Sequence, residues 1–371
     1  MIQASHVGLF EHSNFHNSAT GILRVLLVCL CCGIPAGSAH AQAPVLLFSD
    51  VTSAPNTGWN NSKKKGAAIS VWGLNFGDKR GQSFISVNGA KATAYATWGE
   101  RWPTPHYQRI TFWLNSQMKR GTGQITVTVD GKTSNPLEFT IREGRIFFVT
   151  GNDRGGRGTG TLKYPLDLYG ADNKRRDGLA EFGKLRHGIG AGDILYFRGG
   201  IYTERSYQQG DFILRLDGKE LTDPHRPLAL IAFPGEKPLV QDLYFNDRGP
   251  GVGFGLGSNT VVSGFSFNTV ETAISAKGNN VRVIGNDTVG VQKASRQGTG
   301  IITSGSPTGT GSRNIILGNS IHGGRGGYRL DHAIYIKGCA SDGGQVVAWN
   351  HVFDNDFGRG PLISVNHMDD H

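Results

Sequence analysis

The chain is 371 residues long, which is enough for two domains. It contains 55 glycines, about twice the average share, while charged residues make up only 18%; this excludes a charge-rich disordered chain and favours a turn-rich β protein over a helical one. The formal net charge of +9 indicates either an anionic partner or a role in solubility. For an exported chain, anionic polysaccharide, cell wall or lipid headgroups come before nucleic acid as the partner.

Residues 21–41 predict a secretory signal peptide. Arg24 precedes an apolar run over residues 25–34, and small residues lead to an A-x-A motif that ends at Ala41. The run is too short for a transmembrane span. We expect cleavage near Ala41 and a secreted, periplasmic or cell-surface protein. The segment before Arg24 is long for a signal peptide, so we expect the true start to lie downstream of Met1.

Three of the four cysteines fall inside this apolar run and would be removed with the signal peptide. The mature chain then keeps Cys339 alone, which excludes an intramolecular disulfide framework and a cysteine-based metal site. We expect a buried, inert thiol.

Five short alternating runs predict a small antiparallel sandwich between residues 66 and 141. These runs are Ala68–Trp72, Phe84–Val87, Arg109–Trp113, Gln124–Val129 and Leu137–Ile141. The sequence Val129-Asp-Gly-Lys132 predicts a tight hairpin after the fourth run.

The motif Gly-x-x-Ile-Ser-Val-Trp-Gly-Leu-Asn-Phe-Gly77, followed by Ile85-Ser-Val-Asn-Gly89 and Ile125-Thr-Val-Thr-Val129, resembles the IPT/TIG module. The resemblance implies an immunoglobulin-like β-sandwich over residues 44–142. It carries no catalytic residues with it.

Most of the tryptophans lie in this N-terminal part, where 11 lysines and arginines stand against 5 acidic residues between residues 50 and 141. Trp72 and Trp113 alternate with aliphatic residues, so we expect them in the core. Trp98 and Trp102 are predicted in a polar loop, where they contact either a sugar substrate or a protein partner.

The last third of the chain repeats itself, which predicts a β-solenoid. A β-branched run occurs at residues 259–264, 280–285, 313–318 and 344–349, and a second run follows each copy at residues 273–276, 300–303, 333–336 and 362–365. Aligning the copies gives two inward aliphatic columns, because like residues stack on like in parallel coils. The columns are Val262, Val283, Ile316 and Val347, and Ile274, Ile301, Ile334 and Ile363. Asn286, Asn319 and Asn350 also align and predict a hydrogen-bonded ladder. The glycine-rich run at residues 251–255 is interpreted as a turn.

Three blocks, at residues 147–159, 192–204 and 227–238, resemble in content and order the start of the pectate-lyase-like right-handed parallel β-helix. With the repeats, the resemblance covers residues 147–371 and implies a single-stranded solenoid. The fold class expected is therefore all-β, a sandwich followed by this β-helix. Lyases, hydrolases, epimerases and non-enzymatic surface proteins share the fold, so the resemblance does not imply a reaction.

Alternation along the last repeats directs Tyr335 and Lys337 outward. Lys277 occupies the same column two strands away, about 10 Å from Lys337, a spacing suited to the repeated carboxylates of a uronate chain. We expect Lys277, Tyr335 and the neighbouring His332 to bind substrate. A row of solvated lysines is the alternative interpretation.

One of the reactions found on the β-helix fold can be compared with the residues of this chain. In lyases of this fold a basic residue removes the proton α to a uronate carboxylate, and a cation stabilises the carbanion. Lys337 is the candidate base and Arg359 the neutralising group, with Asp354 and Asp356 as oxygen donors to Ca²⁺; no other cofactor is expected. The alternative is that these are solvated residues in turns.

We therefore predict an exported protein that binds an acidic polysaccharide; whether it also cleaves the polymer, as a polysaccharide lyase or a glycoside hydrolase, is left open by the sequence. A non-catalytic carbohydrate-binding or adhesion protein is the first alternative. The second is an inactive N-terminal fragment of a longer β-helix enzyme, because a predicted strand stands close to His371 without a capping segment. The sequence does not specify the polysaccharide or the oligomeric state.

Overall fold

The computed structural model describes the chain from residue 42 onward, with gaps. Described are residues 42–151, 158–168, 180–181, 184–185, 188–203, 212–216, 221, 223–241, 252–268, 272–289, 299–304, 312–324, 332–337, 344–356 and 363–366. In this part of the chain, 32 strands accompany one short 3-10 helix, Trp59–Asn61, so the protein is all-β. Within the same residues, no helix has the length and apolar character needed to cross a membrane. The predicted signal peptide lies outside them.

The N-terminal part forms two sheets. Its strands are β1 (Val45–Ser49), β2 (Ser53–Pro55), β3 (Lys65–Leu74), β4 (Phe84–Val87), β5 (Ala90–Lys91), β6 (Tyr95–Glu100), β7 (Gln108–Asn115), β8 (Gly121–Val129), β9 (Lys132–Thr133) and β10 (Leu137–Arg142). One sheet has the order β1-β3-β7-β6, and the other has the order β2-β10-β8-β4-β5 with β9 paired to β8. All neighbours are antiparallel except β2 and β10. Inward residues such as Ile69 and Phe112 from one sheet and Val127 from the other share one core.

The five strands predicted in this region are confirmed, and so is the hairpin. Val129 pairs with Lys132 across Asp130 and Gly131, both of which have positive φ, as a tight two-residue turn requires. The loop prediction is wrong for Trp98, which lies in β6. This strand pairs with β7 through shifted register around Gly99, whose φ is 69°, so its sequence lacks clean alternation.

The C-terminal part is built from short strands. These are β11 (Ile146–Thr150), β12 (Leu166–Asp167), β13 (Ala180–Glu181), β14 (Lys184–Leu185), β15 (Ile194–Phe197), β16 (Gly200–Tyr202), β17 (Phe212–Arg215), β18 (Leu228–Ala232), β19 (Pro238–Gln241), β20 (Val252–Leu256), β21 (Thr260–Ser263), β22 (Ser266–Asn268), β23 (Thr272–Ala276), β24 (Arg282–Ile284), β25 (Asp287–Val289), β26 (Thr299–Ser304), β27 (Ile315–Leu317), β28 (Ser320–His322), β29 (His332–Lys337), β30 (Val346–Ala348), β31 (His351–Phe353) and β32 (Ile363–Asn366). Apart from the antiparallel pair β13-β14, they form three sheets of parallel strands.

Each of these three sheets stacks strands from successive coils in chain order. The first parallel sheet has the order β12-β11-β15-β18-β21-β24-β27-β30, the second β16-β19-β22-β25-β28-β31, and the third β17-β20-β23-β26-β29-β32. From β15 onward, each coil adds one strand to each sheet, an architecture compatible with a β-helix-like solenoid. The sequence repeats predict the first and third strands of a coil but not the second, which in the last four coils has only three residues. The turn interpretation of residues 251–255 is wrong, since β20 occupies Val252–Leu256.

The register of both columns is confirmed, and their members are buried except Val347, which is half-buried, and Ile363, which is 48% exposed. Register pairs Val262 with Val283, Val283 with Ile316 and Ile316 with Val347 in the first sheet. In the third sheet, Ile274, Ile301, Ile334 and Ile363 are paired in the same way. The predicted ladder is also present: Asn286 Nδ2 donates to Asn319 Oδ1 at 3.0 Å, and Asn319 Nδ2 donates to Asn350 Oδ1 at 2.9 Å.

A left-handed backbone conformation at the strand ends explains why Asn and Gly recur in the repeat. The first strand of successive coils is preceded by Asn259 or Asn280 and followed by Gly264 or Gly285, all with φ between 56° and 84°. Asn and Gly tolerate this conformation better than other residues. Each first strand therefore ends at a sharp corner into the second.

The outward face of the first parallel sheet is covered by the N-terminal sheets. Tyr196 and Ile231, which point away from the solenoid interior, join the core of the N-terminal part. Further along, the Phe48 ring stacks on Trp72 at 5.2 Å, and both pack against Ile284 and Leu317. The first sheet is thus buried on both faces, which explains fully apolar strands such as β15.

Candidate functional site

The predicted lysine column falls at the end of the strands of the third parallel sheet. Ser304 pairs with Lys337 in register, and Lys277 follows Ala276, the last paired residue of β23. Lys277 is exposed, and its Nζ lies 5.6 Å from the Phe212 ring centroid.

The same strand carries two more of the predicted residues. Tyr335 is half-buried between the buried residues Ile334 and Ile336, in agreement with the predicted alternation. His332 is only 3% exposed, and its ring centroid lies 5.0 Å from that of Tyr335. A ligand on this face would therefore meet Tyr335 and Lys277 more readily than His332. Arg359, the predicted neutralising group, lies outside the described residues.

Asp354 and Asp356 follow β31 at the edge of the second parallel sheet. Both side chains are exposed, and their main chains bond to the preceding coil, Gly323 N to Asp354 O at 3.0 Å and Asp356 N to Gly324 O at 2.8 Å. Over the described residues, no group of three or more His, Cys, Asp or Glu side chains could hold a metal ion. Ca²⁺ takes six to eight oxygen ligands, so these two carboxylates alone do not form a fitting calcium site.

Trp98 and Trp102 belong to the N-terminal part. Trp98 Nε1 donates to Phe76 O at 2.9 Å, and its half-buried ring packs edge-on against Tyr95. Trp102 is also half-buried, with the Arg109 guanidinium 4.9 Å and the Lys237 ammonium 5.1 Å from its ring centroid. Lys237 belongs to the solenoid, so Trp102 lies where the two parts meet.

A cluster that sequence reasoning missed lies on the outward face of the second parallel sheet. His322 Nε2 and Asp287 Oδ1 are 3.0 Å apart, and the exposed Phe353 ring stacks between His322 at 4.7 Å and His351 at 4.2 Å. His106, from the N-terminal part, contacts the His351 ring edge-on at 4.6 Å.

The electrostatics of this cluster follow from its composition. Burial, His106 and His322 lower the pKa of His351, because burial and the two neighbouring imidazoles disfavour a positive charge on this ring. The Asp287 carboxylate lies within hydrogen-bonding distance of His322 Nε2. A carboxylate–imidazole pair of this kind can accept and return a proton.

The positions of Asp287 and His322 could have been inferred from the repeat. Asp287 follows Asn286 of the ladder directly, and His322 comes three residues after Asn319. Both residues fall in the three-residue middle strands, and an alignment extended past the asparagines would have placed them on one face.

Comparisons with known proteins leave the family open. No protein-family model matches the chain, and no curated protein matches it. One solved structure, described as "Rhamnogalacturonan lyase", aligns with 60% of this chain at 12% identity and a TM-score of 0.32. This chain covers 66% of that structure's chain, just under two thirds. A likeness this weak carries no argument about activity.

Proposed function

We propose that this is an exported protein that binds an acidic polysaccharide along the outward face of the third parallel sheet. The observation that carries the proposal is that Lys337 pairs with Ser304, the residue after Thr303, while Lys277 holds the equivalent position after Ala276; Tyr335 lies in the same strand as Lys337. Strands about 4.8 Å apart repeat a side-chain position at regular steps, and a linear polyanion presents charge at regular steps as well. Lysine ammonium groups on flexible stems can follow such a chain.

The finer fold assignments belong to the same proposal. We infer an immunoglobulin-like IPT/TIG sandwich over residues 44–142 and a right-handed parallel β-helix over residues 147–371. The two-sheet core of the N-terminal part and the coil-wise order of the parallel strands support these assignments. Export is inferred from the signal peptide predicted in residues 21–41.

Retention on immobilised polymers tests the binding. Mature protein should be retained by polygalacturonate or alginate but not by neutral dextran, and retention should weaken as salt rises. Lys277→Gln should weaken it further, whereas Lys79→Gln, which removes one charge from an exposed turn of the N-terminal part, serves as the matched control. Equal behaviour of the two variants, or equal retention on dextran, contradicts the proposal.

Cleavage by β-elimination is the reaction that we propose for this face. Lys337 would take the proton from the carbon α to the uronate carboxylate, the electron pair would form a carbon–carbon double bond, and the glycosidic oxygen on the β carbon would leave and take up a proton. Arg359 would neutralise the carboxylate during this step.

The test of cleavage is the ultraviolet absorbance of unsaturated uronate after incubation with alginate, polygalacturonate and glycosaminoglycans, with and without Ca²⁺. Lys337→Gln should abolish the absorbance, whereas Lys277→Gln should weaken polymer retention without abolishing the absorbance at saturating polymer. The absence of any signal from wild-type protein on all substrates, with or without Ca²⁺, contradicts a lyase.

A non-catalytic carbohydrate-binding protein is the second candidate. It is favoured by Trp102, whose ring lies close to two cationic side chains, Arg109 and Lys237. This arrangement is suited to an anionic sugar that stacks on the indole. Trp102→Ala should then reduce polymer retention with no product released, whereas unchanged retention counts against this candidate.

A further inference from the structure

A basic cleft lies where the N-terminal part joins the solenoid. It has a volume of about 430 Å³ and is lined by residues on both sides of the connection between β10 and β11. Its charged lining residues are Arg120, Arg142, Arg145, Arg226, Glu143 and Asp193. Four guanidinium groups against two carboxylates leave the cleft with an excess of positive charge.

Two of the arginines are neutralised within the cleft. Arg145 forms a fork with Asp193, with Nε to Oδ1 at 3.1 Å and Nη2 to Oδ2 at 2.6 Å. Arg120 forms an ion pair with Glu143. The positive excess therefore falls on the remaining two arginines.

Arg142 is held by neutral acceptors only. Its Nε donates to Ser53 Oγ at 2.8 Å, and its Nη1 donates to the carbonyl oxygens of Gly192 at 2.5 Å and Glu143 at 2.9 Å. Burial and the neighbouring Arg226 lower the pKa of Arg142 to about 10, against the opposite effects of Asp193 and Asp223. This guanidinium is fixed in place, yet its charge is poorly compensated.

Arg226 supplies the second uncompensated charge. A Cβ atom at Gly192 would lie 2.9 Å from Arg226 Nε and 3.1 Å from Arg142 Nη1, so both guanidinium groups border the same glycine. Arg226 is exposed, and among the described residues no acceptor takes a hydrogen bond from its side chain. The nearby Asp223 carboxylate accepts a hydrogen bond from His225 N at 2.9 Å.

We propose that this cleft binds the carboxylate of a uronic acid, with Arg226 as its direct ligand and Arg142 as the fixed charge behind it. A guanidinium presents two parallel N–H donors that match the two carboxylate oxygens. The volume lies within the range of sites for small ligands. Glycine at position 192 leaves room for the two guanidinium groups. The choice of a uronic acid as the carboxylate rests on the proposed function, whereas the site itself is separate from the third parallel sheet.

Calorimetric titration of mature protein with galacturonate tests the site, with galactose as the neutral match. Galacturonate should bind and galactose should not. Arg226→Gln should weaken galacturonate binding about tenfold or more, the loss expected for a hydrogen bond between charged groups. Lys79→Gln should leave the affinity unchanged, and thermal unfolding should show that both variants are folded, since both replaced side chains are exposed.

Three outcomes overturn the proposal: equal binding of galactose, equal affinity of Arg226→Gln and Lys79→Gln, or competition by inorganic sulfate at the concentration of galacturonate itself, which would make this a general anion site. Gly192→Ala gives a second readout once thermal unfolding has shown that the variant folds, because Gly192 has φ 88° and the added methyl group would meet both guanidinium groups. It should weaken galacturonate binding while leaving polymer retention at Lys277 intact, so failure here and failure of the polysaccharide proposal are distinguishable.

Discussion

Tyr196 and Ala68 exchange two hydrogen bonds across the junction between the N-terminal sheets and the solenoid. The Ala68 amide donates to Tyr196 Oη, and Tyr196 Oη donates to the Ala68 carbonyl oxygen, each at 2.8 Å. Tyr196 is fully buried, so the phenol replaces water for both main-chain groups of Ala68. The pair ties β3 to β15.

Tyr196→Phe should destabilise the protein by about 1–3 kcal/mol, the cost of leaving buried polar main-chain groups unsatisfied. Urea unfolding measures the change. Tyr164→Phe is the control, because Tyr164 is 49% exposed and its loss of a hydroxyl should change the free energy of unfolding little. Similar stabilities for the two variants would contradict a role for the Tyr196 hydroxyl at the junction.

Asp50 should make stability fall as pH rises. Its carboxylate is buried and accepts hydrogen bonds from Val51 N at 2.8 Å and Ser70 N at 3.0 Å. Burial raises the pKa of Asp50 from 3.8 to about 7, against the opposing effects of those amides and Arg282. Since the folded state binds the proton more tightly than the unfolded state, the stabilising contribution is complete below pH 3.8 and is lost as pH rises to about 7.

The measurement is the free energy of unfolding at pH 5 and pH 8 for wild type and Asp50→Asn. Relative to this variant, wild type should lose about 2–3 kcal/mol between the two pH values. Asp130→Asn, at an exposed turn, should behave as wild type does. A difference between wild type and Asp50→Asn that is independent of pH would show that Asp50 does not titrate in this window.

Asn319 should be the most sensitive residue of the asparagine ladder. Its Oδ1 accepts from Asn286 N and Nδ2, and its Nδ2 donates to Val283 O and Asn350 Oδ1, all within 3.0 Å. Asn319→Ala should lower the free energy of unfolding by about 2–4 kcal/mol, because several buried polar groups lose their hydrogen-bond partners together. Denaturant unfolding tests this value against Asn268→Ala, at a half-buried outward position of β22, which should cost far less.

His351 should contribute stability that acid removes. The pKa of His351 is lowered by burial and by His106 and His322, while Asp287 faces the second of these imidazoles. A lowered folded-state pKa gives stability that is present above the ordinary value of 6.5 and is lost as pH falls through the folded value. The direction is opposite to that for Asp50.

Thermal unfolding of wild type and His351→Gln between pH 7.5 and pH 5.5 separates the pH dependence due to His351 from that due to Asp50. Wild type should lose stability relative to the variant on acidification. His225→Gln, at an exposed position before β18, should follow wild type. If His351→Gln also follows wild type throughout, the contact between His106 and His351 has no electrostatic role.

Much of the solenoid was predictable because its coils repeat. Val283 and Ile301 could be placed in columns from spacing alone, since parallel strands put equivalent residues in register. The middle strands escaped detection because three residues supply a single inward side chain, such as Thr288 or Ile321, and no alternation. Trp98 was misplaced for a related reason, because the irregular register of β6 hides the strand pattern.

From the sequence alone, the all-β class, five strands and one hairpin of the N-terminal part, the register of the two aliphatic columns and the outward position of Tyr335 could be predicted. These features depend on local alternation and on repetition. Only the tertiary structure decided which outward face of the solenoid is covered and which residues distant in the chain meet, as Arg142 and Arg226 do beside Gly192, or Asp287 and His322 on the second sheet. Such contacts depend on how whole sheets pack and on the length of each coil, and neither is encoded in a short window of residues.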